Sequence, residues 1–531
     1  MRGVVTAVDR HGFFIQSTKP GPNPLESDAI FVFSRKWPAP PRALLEVSGQ
    51  VVDYIKVDNG KPMTQIKLDN VRLLKRRGPE IQPFELTADN VPADTTELAT
   101  FLNGLEGMLV SIEAGQTFIA PSNPFGDYVV ILDKDASPPD VVRTEQGGVL
   151  LDHQNPLRWY PGFRIKDYKI APRVDVGAKL RSRITGPLKY RVESYQIAAN
   201  HPIEVEPNHY SLTATRLEPT PGFLTIMTLN VFNLDMHVES EDKVKNPRLD
   251  VDDDWGDGRF HTLAQAVVLQ AKCPDIIAVQ EIQDNDGAEI STVVDATSTY
   301  KGLIKVVGQL SDIEYRWVDI APGLGTDGGQ PGGSIRNGYL YNPERVTLVD
   351  GSVRSVGLES AAFAGSRKPL VAHFIEKESA GELACINVHL ASKRHQHSIF
   401  APAKPSFDPR LPVRVEQAEL IREDLLATRE KGHLYYATGD FNDTEDSETL
   451  VALLGDESEN LVNRLPPEER YDYNHRGKLQ VLMHGIVPKS LARDHVEYEI
   501  IHGNELIGVK PGAPSDKPSD HAYVIAKIRM A

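Results

Sequence analysis

Long apolar runs are missing from this chain: in 531 residues none approaches the roughly 18 needed to span a bilayer. No membrane-inserted segment is therefore expected. Cysteine is almost absent as well. Cys273 and Cys385 both lie in apolar contexts, which predicts two buried free thiols rather than a bridge and leaves the redox compartment open. Positive charge is in deficit, with 58 Lys and Arg against 74 Asp and Glu, and the net −16 argues against a protein that simply coats nucleic acid. The N-terminus, MRGVVTAVDRHGFFIQ, has no apolar signal segment, so either the protein stays in the cytosol or an export signal lies upstream of this sequence. What is present, 40% hydrophobic and 25% charged residues, is the make-up of a soluble globular protein, and the length predicts more than one domain.

The charge is unevenly spread. Residues 1–77 hold 13 Lys and Arg against 7 Asp and Glu, and residues 158–191 hold 10 against 2, whereas residues 216–531 carry −16. The first stretch reads as all β: RGVVTAV, GFFIQ, AIFVFS, LLEVSGQVVDYI and TQIKL alternate between Gly, Pro and Asn turns. Five short strands and a basic tail, Lys75-Arg76-Arg77, predict a small barrel of the OB kind, which binds single strands through aromatics interleaved with positive charge. Phe13, Phe14, Phe31 and Phe33 are the candidates, with most of them expected to fill the barrel core. Residues 80–215 read as a second, larger β-rich OB-like module, whose basic stretch from Arg158 to Arg191 is a candidate phosphate-tracking surface. These modules are expected to supply affinity for long nucleic acid, with the chemistry carried by residues 216–531 alone. LEPTPG, ending at Gly222, reads as the linker between them.

From Phe223 the pattern turns to α/β. FLTIMTLNVFNL is a buried strand with Asn230 near its end, RFHTLAQAVVLQAKC an amphipathic helix, and PDIIAVQEI a strand ending in Gln280-Glu281. A Glu that finishes an apolar strand is costly unless paired or bound to metal. In GTDGGQPGGSIRNGYLYNPERV, Arg336 and Asn337 begin a strand, where a guanidinium can grip a phosphate on two oxygens. ELACINVHLAS brings Asn387 and His389 to one strand face, followed by the cations Lys393 and Arg394. After the helix PVRVEQAELIREDLLATRE comes YYATGDFND. There Gly439 is expected to turn the backbone, and Asp440 and Asn442 to share a face as metal or water ligand and phosphoryl donor. Asp520 and His521 precede the final strand.

TLN, QE, NVH, GDFN and SDH, in this order at strand ends, resemble the endonuclease/exonuclease/phosphatase (DNase I-like) superfamily over residues 223–531. The GG-x-PGG-x-IR segment and the β-rich first half look like bacterial extracellular nucleases of the ExeM type, which implies a secreted or cell-envelope protein. The resemblance implies a four-layer α/β sandwich behind all-β OB-like modules, and a Mg²⁺ centre in which Mn²⁺ substitutes. It implies Glu281 as principal metal ligand with Asn230 and Asp520 close to the ion. Asp440 and Asn442 would orient the attacking water. His521 would be general base or partner of the scissile phosphate, His389 would hydrogen-bond the phosphate or protonate the leaving group, and Arg336 with Asn337 would hold substrate. The implied activity is cleavage of DNA, with RNA second, at low sequence specificity. Phosphoinositide or phospholipid head groups are the alternative substrate, and a non-catalytic nucleic-acid-binding protein is the alternative of another class.

Two positions depart from the pattern. Phe232 stands where some members carry an acidic residue, which argues against two metals. In LQVLMHGIVP, Met483 takes the place assigned to the Asp that orients the final His, leaving His484 or Tyr473 as substitute partners of His521. The acidic run LDVDDDWGD is a candidate for structural Ca²⁺. Its spacing fails the EF-hand pattern, so a solvated loop is expected there.

Overall fold

The computed structural model describes all residues except 24, 36, 56–60, 133–140, 192, 209, 211, 394–397, 399, 401–407, 493–494, 514, 516 and 531. Its first five strands are β1 (Arg2–Asp9), β2 (Gly12–Gln16), β3 (Ala29–Phe33), β4 (Leu44–Tyr54) and β5 (Met63–Lys75), and they close a barrel in the order β1-β2-β3-β5-β4. β3 and β5 run parallel, and β4 returns to β1. Alternate apolar side chains fill the barrel, Val5, Phe13, Ile15, Val32, Leu45 and Val47 among them. Phe13 thus packs in the core, beside Trp37. Phe14 and Phe31 are covered by Lys189 of the next module, which stands 6.0 and 5.4 Å from their ring centres. Of the four candidate rings, Phe13 and Phe14 are buried, Phe31 packs against Phe14, and Phe33 is half-buried under Arg35.

Strands between Phe84 and Glu206 form one nine-stranded sheet. The helix Thr95–Gly104 packs on it, its first turn capped by the Asp94 carboxylate. The basic stretch 158–191 folds onto acids from elsewhere in the sequence. Arg158 pairs with Asp152, Arg164 and Arg191 with Asp127, Lys166 and Lys189 with Asp9, Arg181 with Glu206, and Arg183 with Glu113. An excess of charge along the sequence is therefore largely neutralised in space, contrary to the expected phosphate-tracking surface. The Asp9 pairs also join barrel to sheet. Burial alone would raise the Asp9 pKa, but the two lysines hold it at about 2.

From Phe223 onward two sheets pack face to face. One runs Arg316–Asp319, Arg336–Tyr341, Ile276–Ile282, Phe223–Leu234, Tyr523–Arg529, Val496–Ile501; the other runs Val346–Leu348, Leu370–Glu376, Glu382–His389, Leu434–Asp440, Met483–Pro488, Ser458–Asn460. Strand side chains alternate between two apolar layers. Leu224, Ile226, Ile276 and Ala278 meet Leu383, Cys385 and Tyr436 between the sheets. Met227, Leu229 and Val279 face helices Arg259–Gln265 and Thr297–Ser311, while Ala384, Ile386 and Val388 face helix Leu411–Glu430. Helix, sheet, sheet, helix: this is the DNase I-like four-layer sandwich. Among the described residues no helix is long and apolar enough to cross a membrane, and both cysteines are free, Cys385 buried and Cys273 partly so.

Two local expectations change. Gly439 does not turn the chain; the strand runs through it to Asp440. Its φ of 137° and a virtual Cβ only 1.9 Å from the Val388 carbonyl oxygen explain why glycine stands there. The acidic run is a solvated loop only in part, exposed at Leu249, Asp252, Trp255, Gly256 and Asp257. Asp250 and Asp254 are buried, Asp254 pairs with Arg259, and Asp235, Asp252 and Asp254 converge within 4.8 Å. Burial, then the Glu239 charge, pushes the Asp235 pKa up to about 9.

Candidate active site

The layer between the sheets turns from apolar to polar at one end, because the same alternation that places Ile226 and Tyr436 there continues into Thr228, Asn230, Thr438 and Asp440. The Thr228 and Thr438 hydroxyls meet across the sheets at 2.5 Å, and Gln280 Nε2 donates to Asn387 Oδ1 at 2.7 Å. Asn387 in turn donates to the Val279 and Gly338 carbonyls of the opposite sheet. These bonds fix the spacing of the layer beneath the site.

Glu281 breaks the alternation. Its φ is 63°, and the pairing to Arg336–Tyr341 slips between Val279 and Ile282, so the strand bulges and re-aims the carboxylate. Asn230 Nδ2 then donates to Glu281 Oε1 at 3.2 Å. Parallel pairing sets His389 opposite Asp440, and its Nε2 lies 3.5 Å from Asp440 Oδ2 and 3.7 Å from Glu281 Oε1. Asn442, at φ 54°, folds back so that its Nδ2 donates to Asp440 Oδ2 at 3.1 Å and to the Leu390 carbonyl at 3.2 Å. Asp443 anchors this loop through Lys393 (2.9 Å), Arg414 (3.1 Å) and Thr449 (2.7 Å). Arg394, expected to join Lys393, lies outside the described residues.

His521 reaches the cluster from the other sheet, Nε2 3.9 Å from Asp440 Oδ2. Its Nδ1 meets Asp472 Oδ2 at 2.6 Å. The orienting carboxylate missing at Met483 is therefore present, supplied from ERYDYN. Asp472 is fully buried, and its other oxygen accepts the backbone N–H groups of Leu482 and Met483. Met483 contributes only its backbone to this bond, and its side chain fills the inter-sheet core. His484 is no substitute: its ring meets Asn460 at 3.0 Å and the Asp443 carbonyl at 2.8 Å. Tyr473 bridges to His521 through the backbone and stacks on its ring, with centres 4.8 Å apart.

The electrostatics follow from burial among carboxylates. Burial, then the Asp520 charge, raises the Glu281 pKa, with Arg367 opposing. Burial likewise pushes Asp440 up to about 6, against the pull of His521. For His521, burial works downward, but the Asp472 hydrogen bond and the charges of Asp520, Asp472 and Asp440 prevail and push it up to about 10.

Asn230, Glu281, His389, Asp440, Asn442, Asp520 and His521 thus come together. Arg336 does not join them, since its guanidinium is buried and donates to Asp319 at 3.2 Å and to the carbonyls of Val294 and Ser334. Three of its five N–H donors are thus committed to partners outside the carboxylate cluster. Asn337 donates to the Lys368 and Asn387 carbonyls, and both residues line a separate cleft with Asp327, Ser360 and Phe363. Sequence reading missed Asp472 and Arg367. Asp472 carried no signal, because it lies on a short hairpin rather than a sheet strand. Arg367, in GSRKP, sits beside Glu281 and donates to the Leu390 carbonyl.

Residues 90–207, in the second module, match a family described as a domain of unknown function, DUF8508. No curated protein matches the chain. Among solved structures it is similar to the human Nocturnin catalytic domain, at 13% identity over 59% of this chain and 96% of that one, TM-score 0.37. It is also similar to an endonuclease/exonuclease/phosphatase from Bacteroides vulgatus, at 14% over 58% and 99%, TM-score 0.36. A mannosyl-6-phosphatase of Bacteroides thetaiotaomicron stands at 17% over 57% and 98%, TM-score 0.35. The fold assignment rests on the layer order and strand pairing of the chain itself: a closed barrel, a β-rich module and a DNase I-like sandwich.

Proposed function

We propose that this chain is a divalent-metal-dependent phosphoesterase that hydrolyses phosphodiester bonds of nucleic acid, DNA first and RNA second. The observation that carries this reading is the convergence of Glu281, Asn230, Asp440, His389 and the Asp472–His521 pair at one end of the sandwich. Glu281, with Asn230 and Asp520, is the donor set for the ion. Hard oxygen donors suit Mg²⁺ or Mn²⁺, and a buried carboxylate beside a second one is costly without a cation. Bound there, the ion supplies Lewis-acid neutralisation of phosphoryl charge. Asp440, its pKa raised by burial above the usual carboxylate range, is suited to orient water and accept its proton. Asn442 holds that carboxylate in place and is read as an amide donor to the phosphorane oxygens. Asp472 fixes the His521 ring so that Nε2 faces the cluster, where it exchanges a proton or donates to phosphate. His389 Nε2, between Glu281 and Asp440, is read as donor to the phosphate or leaving oxygen.

For nucleic acid as substrate, the support is the N-terminal barrel, which is closed and five-stranded, has β3 parallel to β5, and leaves Lys75, Arg76 and Arg77 exposed; we read it as OB-like. We read the chain as three units, 1–77, 80–215 and 216–531, with the barrel rather than the ion-paired second module as the polyanion surface. Incubation with supercoiled plasmid, single-stranded DNA, RNA and phosphoinositides tests this. Nicking that EDTA abolishes and Mg²⁺ or Mn²⁺ restores is the expected result. Turnover of phosphoinositides alone would replace the substrate, and full cleavage after exhaustive chelation would remove the metal from the mechanism.

A further inference from the structure

The two halves of the Asp472–His521 pair are tied to each other through the backbone, by Ala522 N donating to the Asp472 carbonyl at 2.7 Å and by a β-bridge between Tyr473 and His521, and both segments are gripped as well from outside the sandwich. Asp472 opens a two-stranded hairpin, Tyr473–His475 with Lys478–Gln480, that belongs to neither large sheet. A lone hairpin is marginal in water. This one is held by the second module. Leu479 N donates to the Val149 carbonyl at 2.8 Å, Leu151 N donates to the Leu479 carbonyl at 2.7 Å, and Asn474 Nδ2 donates to the Ile119 carbonyl at 3.0 Å. Leu479 and Tyr471 share an apolar cluster with Val176 and Leu506, and at the hairpin tip a Cβ on Gly477 would lie 2.8 Å from Ile119 Cδ1.

The segment before His521 is gripped from the same side. Leu506 accepts from Val176 N at 2.9 Å, Gly508 N donates to Asp175 at 2.8 Å, and Val509 exchanges bonds with Ser122 at 2.8 and 2.9 Å. Asn504, on this segment, donates to the His521 carbonyl at 2.7 Å.

We propose that the second module, including the stretch matched as a domain of unknown function, is a positioning element of the catalytic centre: Ile119, Ser122, Val149, Leu151, Asp175 and Val176 brace the two segments that carry Asp472 and His521. The inference rests on the catalytic reading above for its effect on turnover, but not for the geometry. It departs from the expectation that residues 216–531 carry the chemistry alone. Displacing a reacting group by about 1 Å costs on the order of 100-fold in rate. Leu151→Pro, which removes one cross-module donor, and Leu479→Ala, which empties the shared cluster, are the tests in the full chain. Both are expected to lower kcat about 10- to 100-fold with KM little changed.

The second readout is the proton between His521 Nδ1 and Asp472, observed far downfield in ¹⁵N-histidine-labelled protein. It is expected in the wild type and in Asp9→Asn, which loosens only the barrel side, and to broaden or vanish in both clamp variants. Retention of that resonance in two folded clamp variants overturns the proposal. A wild type that hydrolyses nothing sinks the catalytic reading, and the resonance still decides the clamp.

A separate observation carries a second site. At the opposite end of the second sheet, His373, Glu382 and His433 come from three adjacent chain segments onto one sheet face. His373 Nδ1 lies 2.7 Å and His433 Nδ1 3.2 Å from the same oxygen, Glu382 Oε1, and the side chains are only partly exposed. Two imidazole nitrogens and a carboxylate are borderline donors. Tetrahedral Zn²⁺ sets ligand atoms about 3.3 Å apart at bonds of about 2.0–2.1 Å, so a small opening of the triad admits the ion. The geometry assigns this triad as a Zn²⁺-class transition-metal site with water as fourth ligand. The probe is Co²⁺ added to chelator-treated full-length Glu281→Gln protein, which removes the proposed catalytic ion site from the measurement. One equivalent bound with a tetrahedral visible spectrum, lost in added His433→Ala or Glu382→Gln, is expected. No uptake, or uptake indifferent to both substitutions, overturns the assignment.

Discussion

Asp472→Asn is expected to cut kcat by about 10³- to 10⁴-fold, the scale seen when the carboxylate orienting a catalytic imidazole is replaced by an amide. The substitution is nearly isosteric. Asn Oδ1 can still accept from Leu482 N and Met483 N, which now bond the same Asp oxygen at 2.5 and 3.0 Å, so the hairpin keeps its seat. What changes is the bond to His521 Nδ1 at 2.6 Å, where a carboxylate that only accepts is replaced by an amide N–H that donates. The ring must then carry its proton on Nε2, the atom nearest Asp440, and loses the charge that raised its pKa. The expected pattern is a fall in kcat with KM and melting temperature close to wild type. A kcat within tenfold of wild type would remove Asp472 from the mechanism. Met483→Asp, by contrast, is expected only to damage the core, since the Met483 side chain packs between the sheets.

How much of this was legible before the structure depends on which interactions were local. Strand-end polar residues were readable because period-2 alternation decides which face a side chain takes, and Asn230, His389 and Asp440 inherit their faces from the apolar residues before them. Glu281 was readable as an anomaly, although its alternation points it to the wrong layer, and only the bulge at φ 63° brings it back. Asp472 was not readable, because its orientation comes from a hairpin and from a module more than 300 residues earlier in the chain. Arg336 failed for the opposite reason. A guanidinium at a strand start looks free in sequence, yet Asp319 and two carbonyls claim it in space. The same holds for the basic stretch 158–191, whose partners Asp9, Glu113, Asp127 and Glu206 lie outside it. Charge counted along a chain predicts a surface only when the opposite charges stay away.

Glu281→Gln is the second large effect, and it separates chemistry from stability. Turnover is expected to fall at least about 10³-fold, since the anionic oxygen that would hold the ion is replaced by a neutral amide. Stability should move the other way. The Glu281 pKa is raised in the folded state by burial and by Asp520. A carboxylate whose folded pKa exceeds its unfolded value of about 4.3 makes the folded state lose stability as pH rises past that value. Gln carries no such charge, so the ion-free variant should melt above the ion-free wild type at pH 7 and no higher than it at pH 4. Added Mg²⁺ or Mn²⁺ should then reverse the order. The wild type gains RT ln(1 + [L]/Kd), about 2.7 kcal/mol at a hundredfold excess over Kd, and the variant gains little. Thermal melts of both proteins at the two pH values, with and without the ion, measure all of this without any substrate. Equal ion-induced shifts in the two proteins would place the metal elsewhere, whatever happened to turnover. An ion-free variant less stable than wild type at pH 7 would mean that Glu281 is satisfied by Asn230 and Arg367 alone, as a structural carboxylate rather than a ligand waiting for its cation.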